Sequence, residues 1–73
     1  MNRSDLKNGD LIKFVGKNTF IYQVSIKIRG RYMAKCIYTT DPSIIPLHDY
    51  VSINNLLIEE YTYLDDYDKG LLL

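Results

Sequence analysis

Between Thr19 and Arg29 apolar and polar side chains alternate. Phe20, Tyr22, Val24, Ile26 and Ile28 fall on one face, Thr19, Gln23, Ser25, Lys27 and Arg29 on the other, and only Ile21 breaks the pattern. A period of two, carried by β-branched and aromatic residues, predicts a long strand with one buried face. Upstream, Arg3 to Gly9 reads as a lead-in loop closed by Asn8-Gly9-Asp10, a turn because glycine takes positive φ without penalty. A short strand over Leu11–Val15 follows, broken by Gly16-Lys17-Asn18. Gly30, between Arg29 and Arg31, predicts a hairpin turn, and Tyr32–Thr39 is the return strand. Tyr32, Ala34, Cys36 and Tyr38 share one face of it and Met33, Lys35 and Ile37 the other, and the pattern does not say which is buried.

Asp41-Pro42-Ser43 and Pro46 frame a loop, because proline neither donates to a ladder nor lets the residue before it turn helical easily. Asp49–Ile53 is then a fourth strand, Asn54-Asn55 a tight connector and Leu56–Leu64 a fifth strand. That last stretch also fits a helix, with Leu57, Tyr61 and Leu64 as its stripe, Asn54 as cap and Gly70 as stop. Tyr61-Thr62-Tyr63 favours the strand. From Asp65 onward the chain reads as a mobile acidic tail ending in three leucines. The expectation is an all-β fold, with residues 1–64 forming one five-stranded small barrel and residues 65–73 a tail.

This pattern of strand lengths and turns resembles the SH3-like barrels, the group that includes Tudor- and KOW-type modules. The likeness spans roughly residues 6–64. It is carried by Leu6-Lys7-Asn8-Gly9-Asp10-Leu11-Ile12-Lys13-Phe14, by the hairpin Ile28-Arg29-Gly30-Arg31-Tyr32, and by Val51-Ser52-Ile53-Asn54-Asn55-Leu56 leading into the final strand. It implies a module that binds peptides, nucleic acid or other proteins, and a fold does not choose among them.

At 73 residues the chain holds one small domain. One cysteine and one histidine, Cys36 and His48, supply neither an internal disulfide nor the four ligands of a structural zinc site. No metal or other cofactor is expected. The polar start and the absence of any apolar run near ~20 residues predict a soluble protein of the cytoplasm, without membrane contact. Nine isoleucines, seven tyrosines and five asparagines against one alanine lean towards AT-rich coding, as in many low-GC bacteria and their phages.

The formal charge is zero, yet it is segregated. Residues 1–36 carry eight cations against two carboxylates, and residues 37–73 one cation against seven. Within the acidic half, Glu59, Glu60, Asp65 and Asp66 interleave with Tyr61, Tyr63 and Tyr67. Tyrosine buries much area for few rotors and keeps a polar handle, and seven are more than so small a core can seat. These residues form the expected protein-binding surface, suited to a basic partner such as the nucleic-acid channel of an enzyme. The function expected is therefore that of a non-enzymatic interaction or inhibitor-type accessory protein, of phage or mobile-element type, acting on a host enzyme. The alternative is nucleic-acid binding through the hairpin residues Lys27, Arg29, Arg31, Tyr32 and Lys35. A homo-oligomer, joining the basic half of one copy to the acidic half of another, is a third reading. A Cys36–His48 nucleophile–base pair has no local signature, and a mid-strand cysteine is ordinarily a small core hydrophobe. The glycines at 9, 16, 30 and 70 form no phosphate loop, and neighbouring strand carboxylates such as Glu59 and Glu60 point to opposite faces. No catalysis is expected.

Overall fold

In the computed structural model, five antiparallel strands form one sheet in the order β4-β3-β2-β1-β5. The structure describes residues 2–28, 31–70 and 72, with the side chains of residues 3 and 26–28 left aside. The strands are β1 (Leu11–Val15), β2 (Thr19–Ile28), β3 (Arg31–Thr39), β4 (Tyr50–Ser52) and β5 (Thr62–Tyr63), and one short helix follows, α1 (Asp66–Gly70). The fold is all-β in kind, as expected. Among the described residues no helix is long and apolar enough to cross a membrane.

The alternation of β2 becomes the core. Phe20, Tyr22 and Val24 are buried together with Leu6, Ile12, Ala34, Cys36, Ile53, Ile58 and Tyr61, and Phe14, Ile45, Val51 and Leu56 close the margin. The open question about β3 is thereby answered: the Ala34–Cys36 face is inside. Its continuation to Tyr38 is interrupted by a bulge. Tyr22 pairs with Cys36 but Ile21 pairs with Tyr38, so Ile37 is the extra residue and Tyr38 shares the outer face with Ile21. Ile21, the residue out of step in the sequence, is fully buried on that second face, where its β1 partner is Lys13. Gly9 and Asp10 prolong the β1 ladder along β2 through two bonds to Val24, Gly9 N–H to its carbonyl at 2.7 Å and Val24 N–H to Asp10 at 2.8 Å. Gly9 holds φ +90°, the left-handed turn that the Asn8-Gly9 pair predicts.

Three expectations are corrected. The fourth strand is shorter than Asp49–Ile53, because Ser52 caps a 3₁₀ turn over Ile53–Asn55 by accepting from the Asn54 N–H at 3.3 Å. Leu56–Leu64 is neither a strand nor a helix; a second 3₁₀ turn, Ile58–Glu60, precedes the two-residue β5. Buried Ile58, Tyr61 and Leu64 recur every third residue through the 3₁₀ turn, its extended cap and β5, whereas a period of two would have buried Glu60 and Thr62. Finally, the expected mobile tail contains α1. Asp65 and Asp68 cap it reciprocally, the Asp68 N–H donating to Asp65 Oδ1 at 2.8 Å and the Asp65 N–H to Asp68 Oδ2 at 3.4 Å. Asp68, 5% exposed, also pairs with Lys13 Nζ and so fastens the helix to the outer face of β1.

Candidate functional site

Of the depressions among the described residues, two lie on opposite faces of the sheet and a third, of about 300 Å³, lies between Gly9, Asp10, Leu11, Tyr63, Leu64 and Lys69. The first is an apolar groove of about 250 Å³ lined by Phe14, Phe20, Tyr22, Ile45, Asn55, Leu56, Leu57, Glu60 and Tyr61. Phe14 and Phe20 are neighbours in the β1–β2 register, which aligns their rings nearly parallel at 6.1 Å. Tyr61 arrives from the 3₁₀ segment and tilts against both Phe14, at 5.6 Å, and Tyr22, at 6.1 Å. Burial pushes the Tyr22 hydroxyl up to about 12, reinforced by Tyr61 and Cys36. Burial, with Glu60 next, raises Tyr61 as well. Both are therefore neutral hydroxyls at physiological pH and act as apolar wall. The lining contains no cation, Glu60 stands on the rim, and Leu57 is 61% exposed.

The second surface is a polar cleft of about 350 Å³ lined by Asn8, Gly9, Gln23, Val24, Ser25, Lys35 and Tyr50. Its floor is a cross-strand row: Gln23 pairs with Lys35 and Lys35 with Tyr50. These residues alternate with the buried Tyr22, Val24, Ala34 and Cys36, so their side chains stand on the outer face. Lys35 Nζ lies 5.9 Å from the Tyr50 ring centroid, a cation–π contact.

The acid–tyrosine set expected to bind protein does not form one surface. Tyr61, at 6% exposure, belongs to the core. Glu59 and Glu60 are exposed on the second 3₁₀ turn, beside the groove, whereas Asp65, Asp66 and Tyr67 are exposed around α1. Tyr63 is half exposed on β5, its hydroxyl donating to the Asp5 carbonyl at 3.4 Å. Partial burial and the Asp10 and Asp5 carboxylates raise that hydroxyl above its ordinary value.

Of the basic set, Arg29 and the Lys27 side chain lie outside the described residues. Arg31 and Tyr32 are exposed at the start of β3, and Lys35 belongs to the polar cleft. Cys36 and His48 meet through backbone only, the His48 N–H donating to the Cys36 carbonyl at 2.7 Å. The thiol is fully buried, donates to the Tyr38 carbonyl at 3.4 Å, and is raised by burial, whereas His48 is exposed.

Sequence reasoning missed most of both linings. Gln23 and Ser25 were readable from the polar face of β2. Tyr50 was not, because its place beside Lys35 depends on the register of a three-residue strand. The groove needed Phe14 and Tyr61 brought together from opposite ends of the chain. Comparisons with protein-family profiles, with curated proteins and with solved structures find no match.

Proposed function

We propose that this chain is a non-enzymatic binding module of SH3-like topology, an accessory protein that docks on a basic surface of an enzyme and modulates it. The strand order, with the last strand returning to pair with the first after 3₁₀ turns, supports the topological reading. The observation that carries the function is the groove: an apolar depression free of cations, rimmed by Glu60 and flanked by exposed Leu57. Exposed apolar surface with a charged rim is what an interface core and its polar border need before the partner arrives. Glu59 and Glu60, exposed beside the groove, extend the contact and attract a basic partner, while Tyr61 shapes the groove from within.

The experiment is capture from nuclease-treated lysate of the source cells by the wild-type chain, Leu57→Asp, and a Glu59→Lys/Glu60→Lys variant. A single stoichiometric protein is expected on the wild type, and about tenfold less on each variant, the equivalent of roughly 1.4 kcal/mol. Equal retention by all three chains would reject the groove as the contact.

A further inference from the structure

The polar cleft on the outer face of β2, β3 and β4 takes no part in the groove and has a chemistry of its own. Its walls are Asn8-Gly9 on one side and Tyr50 on the other. Between them run β2 and β3, so the opening spans about three strand spacings, or ~14 Å. Gln23, Ser25 and Lys35 project from the floor, and no carboxylate is among the lining residues. Tyr50 is 53% exposed, a large ring on a surface that is otherwise polar. Gly9 adds no side chain to the wall, and its positive φ selects a residue without one.

Two cations of the basic half of the sequence stand on this face of β3. Arg31, Met33 and Lys35 alternate on one side of β3, which puts Arg31 about 13 Å up the strand from Lys35. The acids of α1 follow β5, which β1 and β2 separate from β3, and Lys13, the cation on β1, is occupied by Asp68. Arg31 and Lys35 therefore put positive charge on β3 beside the cleft, Asp10 and Asp49 adjoin its two walls in sequence, and the acids of α1 lie beyond β1.

We infer that this cleft binds a single-stranded nucleic acid, with a base against the Tyr50 ring, Gln23 and Ser25 hydrogen-bonding to it, and Lys35 and Arg31 holding consecutive parts of the phosphate backbone. Stacking on an exposed ring beside a basic track is how strands are held without sequence readout. A duplex hides its base faces and gains only the electrostatic part. Lys35 gives up its contact with the Tyr50 ring to reach a phosphate, and the arriving base replaces it there.

The test is fluorescence polarisation of a labelled 12-nucleotide oligothymidylate with the folded wild-type chain, Tyr50→Ala, Lys35→Gln and Leu57→Asp, folding of each being checked by circular dichroism. With two phosphates neutralised by Lys35 and Arg31, affinity is expected to fall roughly sevenfold between about 50 and about 200 mM salt. Tyr50→Ala is expected to weaken binding at least about fivefold at any salt. Lys35→Gln is expected to weaken it and to make the log–log salt slope shallower by about 0.7. Leu57→Asp, in the groove, leaves it unchanged, which separates this site from the proposed protein contact. Absence of binding at low salt overturns the inference, as does binding indifferent to Tyr50→Ala and Lys35→Gln, or lost in Leu57→Asp. Duplex of the same length binding equally well, or thymidine monophosphate competing as well as the strand at equal concentration, overturns the assignment to a strand.

Discussion

Tyr61 separates the two roles that its neighbourhood suggests, a contact residue among acids or a member of the core. At 6% exposure, and packed against Phe14 and Tyr22, it is core. Tyr61→Ala removes a ring that buries on the order of 150 Å², worth about 4 kcal/mol at ~25 cal/mol per Å². The two ring contacts add about 0.5–1.5 kcal/mol each, and the groove, being open, lets water reach the vacancy and trims the cavity cost. The expected loss is about 3–5 kcal/mol. A domain of this size is stable by roughly 4–11 kcal/mol, so the variant sits near the edge of folding. Tyr61→Phe keeps the ring and is expected within about 1 kcal/mol of wild type. Tyr67→Ala, at 78% exposure, is expected within about 0.5 kcal/mol. Urea unfolding followed by circular dichroism measures all three, and an unchanged m-value would assign the midpoint shift to stability. A loss under about 1 kcal/mol for Tyr61→Ala, or equal losses for Ala and Phe, would refute the core assignment.

Three further outcomes follow from the same structure. The Lys13 ammonium beside Asp68 holds its carboxyl below the ordinary carboxylate range, so this group's contribution is complete above about pH 4 and is lost as pH falls through the lowered value. Acid unfolding of Asp68→Asn, compared with wild type, should show a shallower loss over that window; identical curves would refute the pair. Tyr22 has the opposite sign: its hydroxyl ionises near 10 when unfolded and near 12 when folded, so stability is lost as pH rises between those values, by roughly 2–3 kcal/mol. Ultraviolet titration of tyrosinate in wild type and Tyr22→Phe should show one late-titrating group disappear. Gly9→Ala forces an L-residue to φ +90° and should cost about 1–2 kcal/mol in thermal unfolding, against no change if the turn relaxes freely.

The sequence was most informative where structure is local. The β2 alternation as far as Val24, the Asn8-Gly9 turn and the return strand β3 each depend on neighbouring residues, and each is present, while the turn expected at Gly30 lies outside the described residues. Ile21 looked like a flaw in the alternation because a single strand says nothing of a second buried face. Lys13, its β1 partner on that face, is met by Asp68 from the far end of the chain. The 3₁₀ turns were harder still. The buried Ile58, Tyr61 and Leu64 around the second turn are spaced by three, between the strand and helix periods, and Tyr61-Thr62-Tyr63 pulled the reading towards strand. Asp65 and Asp68 read as tail acids, although an Asp-x-x-Asp spacing is also a reciprocal helix cap. The candidate sites were less legible than the fold, since Phe14 with Tyr61, and Lys35 with Tyr50, meet only through tertiary pairing.

The strand order also sets a sequence of events in time. β1–β2, β2–β3 and β3–β4 are pairs of consecutive strands, whereas β5 must find β1 across about fifty residues. Closing that span costs roughly 2–3 kcal/mol more than closing the short β1–β2 turn, and only two residues of β5 pair in return. The Lys13–Asp68 pair and the burial of Ile58, Tyr61 and Leu64 must supply the rest. The meander is accordingly the unit expected to form first and to survive longest. The segment from Ile58 to Gly70 is the door of the molecule, and amide exchange should find it opening at lower free energy than the β2–β3 hairpin. Because Tyr61 and Glu60 hang on that door, whatever occupies the apolar groove also holds it shut.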